Sequence, residues 1–211
     1  MAKIRKIDRD PRPDRNYFIV DANFLANKFI PPNRTPDTHQ RKRITDCRAW
    51  WSEIDAQLDR GRARVYVPDI AVAETFKTLA KKYYDEKWYR SSQDYHYWRT
   101  QLRNTISLAK EELRKKDRRV RYHDIESSRD IMIAVDRFYE LFFKHGKKVS
   151  LPDLLVVATA KYLVDFFDFP LERLHIVTLD RPLRDGSKKI QELPNAYDPT
   201  FASDAAARVF K

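Results

Sequence analysis

Four carboxylates in this 211-residue chain stand inside apolar stretches: Asp21 in YFIVDANFL, Glu74 in DIAVAETF, Asp153 in SLPDLLVVATA and Asp180 in LHIVTLD. Acids are rarely set into apolar sequence without a partner, because removing an ionised group from water is costly. A divalent cation is the simplest partner for several acids at once, and an all-oxygen set suits Mg²⁺ or Mn²⁺ better than zinc. Acids around such an ion activate water against phosphate esters. The spacing therefore points to metal-dependent phosphodiester hydrolysis, with Asp21, Glu74, Asp153 and Asp180 as metal ligands and catalytic groups.

Each acid also has a structural explanation. Ser150 and Asp153 fit a capping box, and an acid in a first helical turn is favoured by the helix dipole whatever the function. Asp21 and Asp180 fit ordinary turns at strand ends. Glu74 can pair with Lys77 or Lys81 on its own helix face. Singly, each acid reads more readily as structural; four placed alike favour the shared site.

The elements that must position these acids alternate between strand and helix. Tyr17 to Val20, Val65 to Val67, Arg119 to Tyr122 and Leu174 to Leu179 read as strands. Residues 43–60 place Ile44, Cys47, Trp50 or Trp51, Ile54 and Leu58 on one helical stripe ending at Gly61. Helices are also expected over 69–84 with Asp69 as N-cap, within the polar stretch 86–116, over 128–145 before Gly146, and over 151–167. Strands separated by helices imply an α/β fold: three layers, α/β/α, around a central parallel sheet of four or five strands. In such a sheet Asp21 and Asp180 emerge at the carboxyl edge, where ligands bind, and the helices bearing Glu74 and Asp153 begin at that edge. Converging acids repel one another, and a bound cation relieves the repulsion.

Charge suggests the substrate. The net charge is +11, and its surplus lies in two segments. Residues 1–16 carry six Lys or Arg against three acids, and Lys77 to Arg121 carry fourteen against six. Between Lys81 and Arg103 the cations interleave with aromatics, the combination that grips phosphates and stacks bases of single strands. Arg90, Arg99, Arg103, Arg119 and Arg121 are the candidate phosphate contacts and Trp98 the candidate stacking residue, against the alternative that the aromatics pack inward and the cations only solvate a face. RNA is the expected partner, with single-stranded DNA as a second candidate.

Composition excludes several classes. With 42% hydrophobic residues and twelve Phe, eleven Tyr and four Trp, a real core forms despite 35% charge. One cysteine, Cys47, rules out an internal disulfide framework and a cysteine-based zinc cluster. No apolar run spans a membrane and the first sixteen residues lack a secretory h-region, so no membrane partner and a cytoplasmic location are expected. Phosphotransfer chemistry based on Asp21 is disfavoured because Asn23 stands where a second acid is needed and no glycine-rich phosphate loop occurs.

The ordered set VDANFL, VAETF, SLPDLLVVATA and VTLD resembles the PIN domain, a family of metal-dependent nucleases that includes toxin ribonucleases of toxin–antitoxin pairs. The resemblance runs from about Tyr17 to about Asp185. It implies that Asp21, Glu74, Asp153 and Asp180 bind one or two divalent ions and that a metal-activated water cleaves RNA, with Asn23 and Thr178 as supporting polar residues. It also implies a homodimer and, in a toxin, an antitoxin-like protein partner. The chain departs from the family where Arg181, Pro182 and Leu183 follow Asp180 in place of Asp and Phe. Asp185 is then either a substitute outer acid or part of an Asp-Gly turn. The expected organisation is a basic arm over 1–16, a PIN-like nuclease domain over 17–186 with a basic helical elaboration near 82–118, and a C-terminal extension over 187–211. The rival reading is a catalytically inactive nucleic-acid-binding or partner-binding protein on the same scaffold.

Overall fold

The structure is a computed structural model that describes residues 11–35, 37–106, 122–201 and 209–210. Five strands, β1 (Asn16–Val20), β2 (Ala63–Pro68), β3 (Tyr122–Ile125), β4 (Leu174–Val177) and β5 (Asn195–Tyr197), form one sheet in the order β3-β2-β1-β4-β5. Every pairing is parallel, with Phe18 beside Val65 on one flank of β1 and His175 on the other. The helices are α1 (Ala22–Phe29), α2 (Thr38–Asp59), α3 (Asp69–Tyr84), α4 (Ser92–Ile106), α5 (Arg129–Lys144), α6 (Leu151–Phe167) and α7 (Arg181–Ser187), with one 3₁₀ turn at Pro32–Arg34.

β1 is central and every one of its residues is buried, which is why NYFIV reads as a continuous apolar run rather than an alternating one. Its side chains alternate between two cores. Phe18 and Val20 join Val65, Val67 and the buried stripe of α2, while Tyr17 and Ile19 join Tyr66, Ile176 and the apolar face of α6. The α2 stripe buries Ile44, Cys47, Trp50, Trp51, Ile54 and Leu58 together, and Trp51 stacks on Phe24 of α1 with ring centroids 4.6 Å apart. Large apolar side chains of this kind contribute about 1.5–3 kcal/mol each when fully buried. Gly61 and Gly146 follow α2 and α5 with φ of 72° and 68°, the left-handed backbone that closes a helix without a Cβ penalty.

The chain runs from β1 to β2 to β3 on one side and then returns to β4 and β5 on the other. The strand order thus reverses between β1 and β4, and a crevice opens at their carboxyl ends.

Several expectations need correction. β3 lies at Tyr122–Ile125 and shares only Tyr122 with the segment read from Arg119; residues 119–121 fall outside the described residues. The last clear strand ends at Val177, since Thr178 and Leu179 turn toward α7. Asp69 is the first residue of α3 rather than its N-cap, and Pro68 occupies the cap position with no side-chain hydrogen bond. Asp185 and Gly186 lie inside α7 and not in a turn. Residues 195–197 supply β5, so the sheet extends past 186 into the segment expected to be an extension. Val209 returns to the other end of the sheet, where its carbonyl accepts a 2.7 Å bond from Asn16 Nδ2. Arg15, at the end of the expected arm, is buried and donates to the Gly61 carbonyl at 3.2 Å.

Candidate functional site

The first acid, Asp21, follows β1 directly and is almost fully buried. It caps α1: Oδ1 accepts from Phe24 N at 2.6 Å, while Oδ2 accepts from Thr178 Oγ1 at 2.7 Å and from Leu179 N at 3.1 Å. Burial pushes its pKa up, and these three hydrogen bonds, followed by the charge of Arg43, oppose that shift. The residues after β4 are what reach it. Thr178 is fully buried, donates to Asp21 and accepts from Asp180 N at 2.9 Å, so one hydroxyl links the first and last acids across the crevice.

Asp180 caps α7, where Oδ1 accepts from Leu183 N at 2.6 Å. Asp153 lies in the first turn of α6, whose N-cap Ser150 accepts from Asp153 N at 3.4 Å and donates its hydroxyl to Asp153 Oδ2. The loop before α6 is held to α7 by a 3.3 Å bridge from Lys147 to Asp185. Glu74 is half-buried on α3 and, among the described residues, makes neither a hydrogen bond nor an ion pair; Lys81, one of its expected partners, lies 4.0 Å from Glu86 instead.

The four acids converge electrostatically on Asp153. Its pKa is pushed up to about 6, first by burial and then by the charges of Asp180, Asp21 and Glu74, against the lowering bond from Ser150. Segments far apart in sequence thus bring like charges into one crevice. The donor set is oxygen-only and suits a hard divalent cation. The side chains as they stand are turned to helix capping: among the described residues, no three His, Cys, Asp or Glu side chains are arranged so that they hold one ion. The chemistry and charge of the four acids fit such a cation.

The other sequence candidates are placed as follows. Asn23 is exposed on α1. Arg90 and Arg103 are exposed, whereas Arg99 is half-buried with its guanidinium 5.8 Å from the centre of the Phe76 ring. Trp98 packs half-buried against the core with Arg48 5.5 Å over its ring, which favours the packing alternative for this side chain. Arg119 and Arg121 lie outside the described residues. Asp185 is committed to Lys147, Arg181 and Arg184. A substitute outer acid at that position would have to break these contacts.

Two features escape sequence reading. Arg43 of α2 faces Asp21 through space, and the only sequence signal is its place beside the buried stripe residue Ile44. Asp69 is a further acid on the carboxyl edge; its pKa is raised by burial, and it accepts a backbone bond from Ser127 beyond β3. No helix among the described residues is long and apolar enough to cross a membrane.

No protein-family model and no curated protein matches the chain. Among solved structures it is similar to a chain of VapBC2 from Rickettsia felis, solved bound to a DNA fragment from their promoter. That match has 12% identity and a TM-score of 0.50, covering 86% of this chain and 98% of that one. It is also similar to a chain of FitAB bound to an IR36 DNA fragment, with 14% identity and a TM-score of 0.51, covering 87% of this chain and 96% of that one. At such identities the likeness concerns the fold alone, and that fold is the PIN-like α/β/α arrangement.

Proposed function

We propose that this chain is a metal-dependent endoribonuclease that hydrolyses phosphodiester bonds of single-stranded or structured RNA, using Mg²⁺ or Mn²⁺ held by Asp21, Glu74, Asp153 and Asp180. The observation that carries the reading is the raised pKa of Asp153, caused after burial by the other three acids at the crevice where the strand order reverses. Three of the acids have capping work to do, but Glu74 has none, and a half-buried carboxylate that is unpaired among the described residues and acts on Asp153 is a cost that a structural role does not offset.

A bound divalent ion would offset charge on the scissile phosphate and acidify a nearby water. Three donors oppose the burial that raises the pKa of Asp21 and hold its carboxyl group in place. Glu74 and Asp153 would supply the remaining ligand oxygens from α3 and α6. Asp180 Oδ2, the oxygen not used in capping α7, would orient the attacking water and accept its proton. The like-fold chains come from complexes solved with DNA fragments, and their components include toxins of toxin–antitoxin pairs. Those facts support an antitoxin-like partner here. Met132, Ile133 and Phe143 of α5 stand exposed and support protein contact, either with that partner or with a second copy.

The test is cleavage of mixed single-stranded RNA and single-stranded DNA with Mn²⁺, expected to be lost in EDTA and in Asp21→Asn. Among the described residues no three acidic, His or Cys side chains are arranged to hold one ion, which favours a second reading, a non-catalytic nucleic-acid-binding or partner-binding scaffold. If wild type and Asp21→Asn bind RNA equally and neither cuts it with Mn²⁺, that second reading stands and the enzyme reading falls.

A further inference from the structure

Next to the acids, α1, α2 and α3 enclose a cleft lined by Asn23, Gln40, Arg43, Thr78, Lys82 and Trp88. It is continuous with the site in sequence: Asn23 is two residues past Asp21, and Thr78 is one helical turn past Glu74. Its volume is about 70 Å³, enough for several waters. Two cations line it in different states. Lys82 is already engaged, 2.6 Å from Glu86 and 3.5 Å over the Trp88 ring. Arg43 is exposed and makes no hydrogen bond or ion pair among the described residues, yet its charge reaches Asp21.

A guanidinium with no hydrogen bond or ion pair among the described residues, lining a small cleft beside the residues that follow Asp21 and Glu74, is suited to an oxyanion that arrives with the substrate. Arg presents a planar fork of donors that matches phosphate oxygens two at a time. Asn23, Gln40 and Thr78 add neutral donors around the same space.

We infer that this cleft holds a backbone phosphate of the nucleic-acid strand adjoining the scissile one, with Arg43 as the positioning residue. This assignment rests on the nuclease reading and deepens it. The acids repel a polyanion, so the strand needs a cationic anchor near them, and Arg43 is near enough for its charge to act on Asp21. Arg43 supplies that anchor from α2, on the side of the sheet opposite α5 and α6.

The experiment measures equilibrium binding of labelled single-stranded RNA in EDTA, over a range of salt, to wild type, Arg43→Ala, Arg43→Lys and, as control, Arg137→Ala. Arg137 lies on α5 and is paired with Glu192. Arg43→Ala is expected to weaken binding roughly tenfold or more, and to make the slope of log affinity against log salt shallower by about 0.7 for the lost phosphate contact. Arg43→Lys should keep the slope and recover only part of the affinity, while Arg137→Ala changes neither. Thermal unfolding of each variant confirms that it folds. Wild-type affinity and slope in Arg43→Ala would overturn the assignment, and Mn²⁺-dependent cleavage by wild type would then leave the nuclease reading standing. Conversely, if wild type fails to cut but the Arg43→Ala effect persists, the cleft stands and hydrolysis falls. If inorganic phosphate alone raises the wild-type unfolding temperature as much as the RNA does, and Arg43→Ala abolishes both effects equally, the cleft is a free-phosphate site and the strand assignment is wrong.

Discussion

The hydroxyl of Thr178 lies 2.7 Å from Asp21 Oδ2, and this bond ties the carboxyl end of β4 to that of β1 at the point where the strand order reverses. Because the same oxygen accepts from Asp180 N at 2.9 Å, one side chain orients two of the four acids. Thr178→Val keeps the shape and removes the donor, leaving a buried carboxylate short of one partner. We expect a loss of about 1–3 kcal/mol at neutral pH in chemical denaturation. Mn²⁺ affinity should fall about 10–100-fold, as for other residues that orient a ligand. Thr178→Ser should restore most of both. A valine variant with wild-type Mn²⁺ affinity would show that the hydroxyl does not orient the site.

Asp153 makes the metal-free protein pH-sensitive in a direction opposite to that of an ordinary paired acid. Its folded pKa of about 6 lies above the unfolded value of 3.8, so the folded state holds the extra proton. The stability from this group is fully present below pH ~4 and is lost as pH rises through about 6. In EDTA at neutral pH, Asp153→Asn should therefore be more stable than wild type, by about 1–2 kcal/mol once the group's partial exposure is discounted. The gap should close by about pH 4. Adding Mn²⁺ should raise the unfolding temperature of wild type and not of the variant. If the asparagine variant is the less stable protein in EDTA at neutral pH, the acids do not repel as described.

The parts of this arrangement legible in the sequence share a cause. α3 and α6 span 69–84 and 151–167 as their apolar content indicates: α6 buries every residue from Leu154 to Ala160, whereas α3 buries Ala71, Thr75 and Leu79 rather than the stripe of Ile70, Ala73, Phe76, Ala80 and Tyr83 that its spacing suggests. β5 is only three residues long, and NAY has no periodicity to detect; it forms because β4 offers it an open edge. α1 begins at Asp21, which reads equally well as a turn, and only the hydrogen bond to Phe24 N separates the two. The convergence of the acids follows from parallel topology. The fork of bonds from Thr178 does not, because a hydroxyl's partners depend on where the loop after β4 crosses β1.

At Gly186 the usual effect of a helical glycine should reverse. Replacing glycine by alanine inside a helix ordinarily stabilises by about 1 kcal/mol. Here a Cβ would meet Phe142 of α5 at 2.3 Å from the ring, and Phe142 is itself buried. Gly186→Ala should cost about 1–3 kcal/mol from this overlap. Combining it with Phe142→Leu should recover part of the loss in a double-mutant cycle. Additive costs in that cycle would mean that the two residues do not compete for the same space.

The far end of α7 is fixed by a different kind of contact, and through it the position of Asp180. Arg184 Nη1 lies 3.2 Å from Asp198 Oδ2, just past β5, and both side chains are only 8% exposed. Thr200 completes the acid's shell through its backbone N at 2.9 Å and its hydroxyl at 2.7 Å. The guanidinium also lies 4.3 Å from the centre of the Phe201 ring. Removing Asp198 leaves buried Arg184 with only the more exposed Asp185, 3.3 Å away, so Asp198→Ala should cost about 1–3 kcal/mol, whereas replacing Arg184 and Asp198 by apolar residues of similar size should cost far less. Asp180 caps the same seven-residue helix, so the alanine variant should also lose Mn²⁺ affinity, and the apolar double variant should regain stability before it regains affinity. Recovery of both together would mean that the pair merely fills space. Stability without affinity would mean that the ion pair sets the angle at which α7 presents Asp180 to the crevice.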